Sequence, residues 1–432
     1  MLYEEARVYL DHVSKYGSVL GLESIKGLLR ELGNPQNELR FIHIAGTNGK
    51  GSILACLSCI LKEAGYRTGR YISPTVMEYR ERFQIDGEYI KKAEFAEMTC
   101  KVKAAADRMI CAGKTPPTAF EIETAIAFCY FEEQGCDFVV LETGLGGLLD
   151  ATNVVEHTKV CVFSSISMDH IGVIGNTLEE IAENKAGIVK PGAVVVSAPQ
   201  APNVQKILAD TAQKYGCRYR VSSPADAVFI ENSIERQRFS YCEFGDLTLP
   251  LVGKHQIENA TTALEVVRSL REEGISISSE AVKAGLSSVK WPGRFMVVGR
   301  NPLMIVDGAH NTDAAKRLAG SVREYLGGKK VTAVVGIFKD KEYQKIVEIM
   351  APYLSSVYTV ELPDKSRTLG QEELKAEFEK QGILAETSDG IQDAVKKAAE
   401  NAGGDGAVLA FGSLSYLGEV ISYVKGKEGE TW

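Results

Sequence analysis

Much of the chain alternates between continuous apolar runs and segments with the 3.6-residue periodicity of amphipathic helices. The runs at 137–142 and 160–166 are rich in β-branched residues, which is typical of parallel strands buried on both faces. Helical patterns at 92–112 and 119–134 precede them. This alternation predicts an α/β fold built on a parallel sheet.

A Pro-Gly break in "KWPGRF" divides the pattern into two series. After the break, the alternation of strands and helices restarts at "LMIVDG" and continues to "GAVLAFGS" and a final helix. We therefore predict two domains. Residues 1–292 form a parallel-sheet domain, and residues 293–432 form a smaller, Rossmann-like α/β domain.

The composition is that of a globular protein, with 432 residues, 45% apolar and 25% charged. A net charge of -8 argues against a general nucleic-acid-binding surface. The acidic start of the chain has no signal-peptide pattern, and no apolar run approaches the length of about 20 residues that spans a membrane. Nine cysteines scattered through apolar segments favour a reducing cytoplasm over a disulfide scaffold.

Cys56 and Cys59 form a C-x-x-C motif within a helical pattern. A zinc site would need a second pair of Cys or His ligands at suitable spacing, and no such pair follows. Because residues three apart share a helix face, we interpret the two cysteines as small buried side chains.

The segment "HIAGTNGKGS" at 43–52 resembles a phosphate-binding loop but departs from the pattern G-x-x-x-x-G-K-[ST], with Ile44 and Gly51 at two defining positions. The required context is present, because a strand precedes the glycines and a helix follows them. Glycines let backbone N–H groups approach phosphate oxygens, Lys50 can reach the terminal phosphates, and Ser52 can face Mg²⁺. We predict a nucleotide phosphate site here, which makes the parallel-sheet domain of residues 1–292 similar to that of P-loop ATPases. The alternative is a glycine-rich turn with an exposed lysine.

Polar residues follow three apolar strands. Ser73 lies at the carboxyl end of the strand in "YISP", Glu142 ends "FVVLE", and Asp169 and His170 follow "SSISM". Because ligands of open parallel sheets bind at the carboxyl ends of the strands, we expect these residues to share a magnesium site with phosphates and water. Taken singly, each has a simpler interpretation as a strand cap, a solvated carboxylate or a loop histidine.

Two further signals are weaker. "GLGGLL" at 144–149 approaches a dinucleotide-binding pattern, but Leu149 occupies the last glycine position and no acidic residue follows at the right distance. Lys185 closes a short helical pattern, where composition alone indicates only a lysine opposing the helix dipole.

The second series supplies a further group of polar residues. Asp307, His310 and Asn311 follow an apolar strand, and Arg294 lies in the predicted domain joint. Two more polar residues, His255 and Asn259, lie four positions apart at the start of a predicted helix. Since ligands often bind between domains, we predict a second half-site that closes on the first.

Together these segments resemble the folylpolyglutamate synthase / dihydrofolate synthase family, a branch of the Mur ligase superfamily. The matching stretches occur in family order along nearly the whole chain and include "HIAGTNGKGS", "YISP", "ERFQIDGE", "TAFEIETAIAFCYF", "LETGLGG", "LDATNV", "SMDH", "TLEEIAENKAGIVKPG", "GKHQIENA", "WPGRF", "DGAHN" and "FGSLSYLGEV". In this resemblance the opening loop is the superfamily's own variant, G-T-N-G-K-G-[ST].

The resemblance implies an ATP-dependent carbon–nitrogen ligase that adds L-glutamate to the γ-carboxylate of a tetrahydrofolate through an acyl phosphate, with dihydropteroate as a second acceptor. It implies ATP, two Mg²⁺ ions and a CO₂-derived carbamate on Lys185. We expect a cytoplasmic monomer that binds neither nucleic acid nor membranes. The resemblance leaves two alternatives. One is a cell-wall Mur ligase acting on a UDP-sugar peptide, but such a ligase has an extra domain before the ATP loop, which we do not expect before Gly46. The other is a non-catalytic nucleotide-dependent switch.

The resemblance also assigns roles to residues. The catalytic residues implied are Lys50, Lys185, His170, Asp307 and His310. The ATP contacts implied are Asn48, Gly49, Lys50, Gly51, Ser52, Asn259, Arg294 and Asp307. The metal ligands implied are Ser52, Ser73, Glu142, His170 and Lys185. The folate and glutamate contacts implied are Leu20, Gly21, Leu22, Phe120, Glu121, Leu149, Asp150, Ala151, His310 and Ser413.

Three positions depart from the family pattern. Thr75 stands in "SPTV" where many bifunctional members have His, and Leu148 stands in "GGLLDATN" where many have Arg. Asn184, where Glu is frequent, is a minor change. The first two substitutions predict that dihydropteroate is a poorer acceptor than a tetrahydrofolate.

Overall fold

The structure is a computed structural model that describes residues 1–14 and 21–427. Over these residues the chain forms an eight-stranded, a three-stranded and a six-stranded sheet. The helices are α1 Tyr3–Ser14, α2 Glu23–Glu31, α3 Lys50–Glu63, α4 Lys92–Cys111, α5 Ala119–Glu133, α6 Leu178–Ala186, α7 Pro202–Lys214, α8 Lys254–Glu272, α9 Ser279–Ser287, α10 Thr312–Tyr325, α11 Tyr343–Met350, α12 Gln371–Lys380, α13 Ile391–Ala402 and α14 Leu417–Gly426.

The eight-stranded sheet is parallel except at one edge. Its strands are β1 Phe41–Ala45, β2 Thr68–Tyr71, β3 Phe83–Ile85, β4 Glu88–Tyr89, β5 Phe138–Glu142, β6 Thr158–Phe163, β7 Val194–Ser197 and β8 Arg218–Val221. Their order is β4-β3-β2-β5-β1-β6-β7-β8, and only β3 and β4 run antiparallel to their neighbours. The carboxyl ends of β2, β5, β1 and β6 therefore meet at one edge of the sheet.

Helices cover both faces of this sheet, which explains why its strands read as continuous apolar runs. Ile42 and Ile44 of β1 face a core shared with α3, α8 and α9. Phe41 of the same strand faces the opposite core, shared with α1, α2, α4 and α5, where its ring lies 5.5 Å from that of Phe128. Successive side chains of β1 thus anchor the central strand in two cores.

The three-stranded sheet is antiparallel and was not predicted. Its strands are β9 Ala227–Asn232, β10 Gln237–Tyr241 and β11 Asp246–Leu249. Val228, Phe229 and Ile230 on its edge strand are exposed, so β9 shows no alternation that would mark a half-buried strand.

The six-stranded sheet is formed by β12 Met296–Arg300, β13 Leu303–Asp307, β14 Val331–Val335, β15 Ser356–Thr359, β16 Leu384–Thr387 and β17 Ala407–Phe411. The order is β12-β13-β17-β14-β15-β16, and all neighbours are parallel except the edge pair β12 and β13. Asp307 pairs with Phe411 at the carboxyl end of this sheet.

The α/β fold class is confirmed, and the predicted helices lie where the pattern placed them, within the residues that the structure describes. Besides the three-stranded sheet, the pattern missed α9 and the short strands β3, β4, β8, β12 and β16, which lie at or next to sheet edges. Strands of the first sheet all precede residue 222, and those of the six-stranded sheet all follow residue 295. The boundary between residues 292 and 293 stays a prediction.

Two smaller expectations concern cysteines and membranes. Cys56 is buried, Cys59 is partly buried, and neither forms a disulfide, in agreement with the interpretation of the C-x-x-C motif. Among the helices of the described ranges, none is both long and apolar enough to cross a bilayer.

Candidate active site

A cleft lies between the carboxyl edge of the eight-stranded sheet and the carboxyl end of the six-stranded sheet. Most of the residues singled out from the sequence line it together. They are Asn48, Gly49, Lys50, Gly51, Ser52, Ser73, Glu142, Asp169, His170, Lys185, His255, Asn259, Arg294, Asp307, His310 and Ser413. Side chains from distant parts of the chain thus share one cavity.

The loop between β1 and α3 forms the floor of the cleft. Gly46 has φ 147°, and a Cβ there would lie 1.9 Å from Ser164 Oγ, so the loop requires glycine at this position. Gly49, with φ 97°, is the N-cap of α3. The helix N-terminus therefore points its free N–H groups into the cleft, as an anion site requires.

Lys50 lies at the start of α3 and faces Glu142. Its Nζ donates a hydrogen bond to Gly46 O at 3.2 Å and lies 3.8 Å from Glu142 Oε1. Glu142 ends β5 and is buried, and burial raises the pKa of its carboxyl although Lys50 opposes this. A second cation or a metal at this position would stabilise the charged carboxylate.

Asp169 and His170 line the cleft, but the prediction that they directly end a strand is wrong. β6 ends at Phe163, and both residues lie on the following loop, where His170 has φ 50°. Burial alone would raise the pKa of Asp169, but Lys341, together with His170 and His310, outweighs burial and holds that pKa below its usual range. Burial lowers the pKa of His170, so its imidazole is neutral at pH 7.

Lys185 lies at the end of α6, as predicted, and is 3% exposed. Its Nζ donates to Gly46 O at 2.9 Å, which places the amine against the phosphate loop. Burial, with repulsion from Lys50, lowers the pKa of Lys185 to about 7. A large fraction of this amine is therefore unprotonated, and hence nucleophilic, near neutral pH.

The far wall of the cleft comes from the six-stranded sheet. The carboxylate of Asp307 accepts hydrogen bonds from the backbone N–H groups of Phe295 and Ala309, each at 2.8 Å. Burial raises the pKa of Asp307, and Arg294 opposes that shift. Burial and Lys341 lower the pKa of His310 to about 4, so this imidazole is also neutral.

Hydrogen bonds join the two walls. Asn48 Nδ2 donates to Asp313 Oδ2 at 2.9 Å and to Asn311 Oδ1 at 3.2 Å. Arg317 extends from α10 to Glu258 at 3.2 Å and to Ser165 Oγ at 3.1 Å. These contacts hold the phosphate loop against the N-terminus of α10.

Sequence reasoning missed Arg317, Lys341 and Arg367, which also line the cleft. Each is a single cation in a charged, otherwise ordinary segment, so no local pattern separates it from surface lysines and arginines.

Several predicted folate contacts do not line this cleft. They are Gly21, Leu22, Phe120, Glu121, Leu149, Asp150 and Ala151. Leu20 lies outside the described residues. Both carboxylate oxygens of Glu121 accept backbone N–H groups, from Ile25 at 3.0 Å and Thr118 at 2.7 Å. Asp150 is likewise held by Leu145 N–H and Thr152 N–H. Their role toward a substrate stays a prediction.

The segment that resembled a dinucleotide motif does not lead into an α-helix. Gly144 and Gly146 follow β5 and line the cleft, but the chain continues into the 3₁₀ turn Ala151–Val154. The helix N-terminus that a dinucleotide pyrophosphate needs is therefore missing from this turn.

Comparison with known families agrees with this arrangement. Residues 44–267 match the Mur ligase middle domain, and residues 293–414 match the glutamate ligase domain of Mur ligases. Fold and cleft therefore define a Mur-type ligase.

Similar proteins show to which family of Mur-type ligases the chain belongs. The dihydrofolate synthase/folylpolyglutamate synthase of Bacillus subtilis is 32% identical over 98% of this chain and 99% of its own. The Mycobacterium tuberculosis folylpolyglutamate synthase complexed with ADP superposes with a TM-score of 0.88 at 27% identity, over 98% of this chain and 99% of the other. Escherichia coli FolC in complex with DHPP and ADP superposes with a TM-score of 0.86 at 29% identity, over 98% of both chains. The chain belongs to the folylpolyglutamate synthase / dihydrofolate synthase family, whose members are ATP-dependent ligases.

Proposed function

We propose that this enzyme uses ATP to activate the γ-carboxylate of a reduced folate and joins it to the amine of L-glutamate. A carboxylate is a poor electrophile, and amide formation in water is unfavourable. Transfer of the γ-phosphoryl group to a carboxylate oxygen releases ADP and gives an acyl phosphate. The glutamate amine then attacks the carbonyl carbon and loses a proton, and phosphate leaves from the tetrahedral intermediate.

The observation that carries this proposal is the meeting of two sets of charged groups in one cleft. Lys50 and the N-terminus of α3 supply positive charge for phosphate oxygens from one side. Arg294 and Asp307 face them from the other side, beside the neutral imidazole of His310. Cations fixed on both sides would stabilise negative charge on the transferring phosphoryl group and on the tetrahedral oxyanion.

The donors in the cleft fit Mg²⁺. Glu142 supplies a buried carboxylate, Ser52 and Ser73 supply hydroxyls, and His170 supplies a neutral imidazole. Within the described ranges, no group of three or more His, Cys, Asp or Glu side chains could hold a metal by itself. Mg²⁺ typically takes one or two side chains and completes its shell with phosphate oxygens and water, where it neutralises phosphate charge.

We also propose that Lys185 carries a carbamate. Its neutral amine can attack CO₂, forming an N–C bond and releasing one proton, which converts a buried cation into an anion. The low pKa of about 7 and the burial of this side chain support the proposal. The carbamate oxygens would be suitable ligands for a second Mg²⁺.

The acceptor preference follows from two positions. Thr75 lines the cleft, whereas Leu148 is about half exposed, lies outside the cleft lining and packs against Gly187. Neither supplies the imidazole or guanidinium that many bifunctional relatives have there. We propose that a tetrahydrofolate is the better acceptor and that dihydropteroate is a poor one.

One experiment tests the proposed function. Purified enzyme is incubated with ATP, labelled L-glutamate and either tetrahydrofolate or dihydropteroate, and phosphate and labelled product are measured. Phosphate release that needs both an acceptor and glutamate supports the ligase. ATP hydrolysis that ignores both substrates would instead indicate a nucleotide-dependent switch. A monomeric state and a cytoplasmic location stay expectations from the sequence.

A further inference from the structure

The segment Ser164–Ser167 connects β6 to the cleft residues Asp169 and His170. Pairing of β6 with β7 ends at Phe163 and Ser197, so the next peptide groups have no strand partner on the β7 side. On the other side, Ser164 N–H still donates to Ala45 O at 2.9 Å, and Ser165 forms an isolated bridge with Asn48. Peptide groups that leave a sheet inside a protein need other hydrogen-bond partners. The side chains that supply them therefore decide where this segment lies.

Gln200 supplies partners on one side of the segment. Its Oε1 accepts the N–H of Ile166 at 3.0 Å, and its Nε2 donates to Ser164 O at 2.8 Å and to Ser197 Oγ at 3.3 Å. The Gln200 amide thus supplies hydrogen-bond partners for two backbone groups beyond the last β6–β7 pair, Ser164 C=O and Ile166 N–H. Gln200 does not itself line the cleft.

Thr47 of the phosphate loop supplies partners on the other side. Its N–H donates to Ser165 O at 2.8 Å, and its hydroxyl donates to Ser167 O at 3.0 Å while accepting from Ser167 N–H at 3.1 Å. A displacement of the segment would therefore also displace the backbone of the phosphate loop.

The end of this segment is conformationally demanding. His170 has φ 50°, a region that non-glycine residues rarely occupy and keep only when surrounding contacts enforce it. We infer that Gln200 is a positioning residue for the reaction, whose amide fixes Ser164–Ser167 and through it the phosphate loop, Asp169 and His170. The inference rests on the proposed function for turnover, but not for nucleotide binding.

The test compares Gln200→Leu, which keeps the size of the side chain and removes its hydrogen bonds, with a matched control. Gln371→Leu removes a similar amide-to-backbone bond, from Ser388 N–H to Gln371 Oε1 at 3.1 Å, away from the cleft lining. ADP affinity is measured by calorimetry, kcat and KM by steady-state kinetics, and Tm by thermal unfolding.

We expect Gln200→Leu to weaken ADP binding and to lower kcat by about 10- to 100-fold, since small misplacements of reacting groups carry costs of this order. Gln371→Leu should change Tm only. Gln200→Asn, which keeps the amide and shortens its reach, should show a smaller loss and replaces Gln200→Leu if that variant does not fold. ADP affinity and kcat that match the Gln371→Leu control would overturn the inference. Wild-type protein that binds ADP without ligating glutamate would contradict the proposed function, and ADP affinity would still test Gln200.

Discussion

Lys341 Nζ lies 2.9 Å from Asp169 Oδ1, and this ion pair joins the loop after β6 to the segment after β14 across the cleft. Each side chain is only 10% exposed. Asn311 Nδ2 adds a hydrogen bond to the other oxygen of Asp169 at 3.4 Å. The two residues are 172 positions apart in the sequence, and their contact holds the two walls of the cleft together.

Replacing Lys341 with methionine should destabilise the protein and should do so in a pH-dependent way. Lys341 holds the pKa of Asp169 below its ordinary value of 3.8, so the ion pair stabilises the fold above about pH 4 and is lost as the pH falls through the folded-state pKa. The free energies of unfolding of wild type and Lys341→Met in urea should therefore differ by a constant amount from about pH 4 to pH 7 and begin to converge only as the pH falls below about 4.

Lys365→Met is the matched control, because Lys365 pairs with Glu361 on the surface, where ion pairs contribute about 0–1 kcal/mol. If Lys341→Met differs from wild type by the same amount at every pH, its effect comes from lost packing and the ion pair contributes nothing.

Replacing Lys185 with alanine should nearly abolish ligation, because the variant cannot form the proposed carbamate. Short carboxylates added in solution should restore part of the activity by taking its place. In wild type the amine loses its proton as the pH rises through about 7, so at constant dissolved CO₂ the carbamate fraction should increase from pH 6 to pH 8. A ¹³C NMR signal from labelled CO₂ measures it, and an unmodified lysine in fully active enzyme would contradict the proposal.

Glu142→Ala and His170→Ala should each lower kcat by about 10²–10³ and change Tm little, because both side chains face the phosphate loop and carry charge or metal-binding groups. Steady-state kinetics and thermal unfolding on the same preparations separate the two effects. A variant that loses thermal stability but keeps its specific activity would show that the residue is structural.

Acceptor choice is predicted from Thr75 and Leu148. The reacting carboxylate of dihydropteroate is attached directly to its benzoate ring, whereas that of a folate lies several bonds further out, and both must reach the same γ-phosphate. Without an imidazole or guanidinium to fix the short acid, misplacement by about 1 Å can cost about 10²-fold in rate. We expect a much higher kcat/KM for tetrahydrofolate than for dihydropteroate.

The two variants Thr75→His and Leu148→Arg test which of the two positions determines the preference for tetrahydrofolate over dihydropteroate. Since only Thr75 lines the cleft, Thr75→His should raise kcat/KM for dihydropteroate more than Leu148→Arg does. Equal efficiency of wild type on both acceptors would show that neither substitution controls the choice.

Near neighbours in the sequence determined the elements and the phosphate loop. The apolar runs that became β5 and β6 are buried, and Gly49 precedes α3 as its N-cap. Periodicity, glycine conformation and helix capping depend on residues within a few positions of each other, so the sequence alone could predict these features. It could not predict β9, whose exposed apolar residues break the expected alternation.

Only the tertiary structure decided which of these residues meet. Lys185 contacts Gly46 across 139 positions, and Lys341 contacts Asp169 across 172. Such contacts depend on the strand order and on the packing of one sheet against another, which many residues determine together and no local pattern records. For the same reason, no local pattern distinguishes Gln200, which the fold places against the segment after β6, or Lys341, which it places in the cleft, from ordinary polar residues.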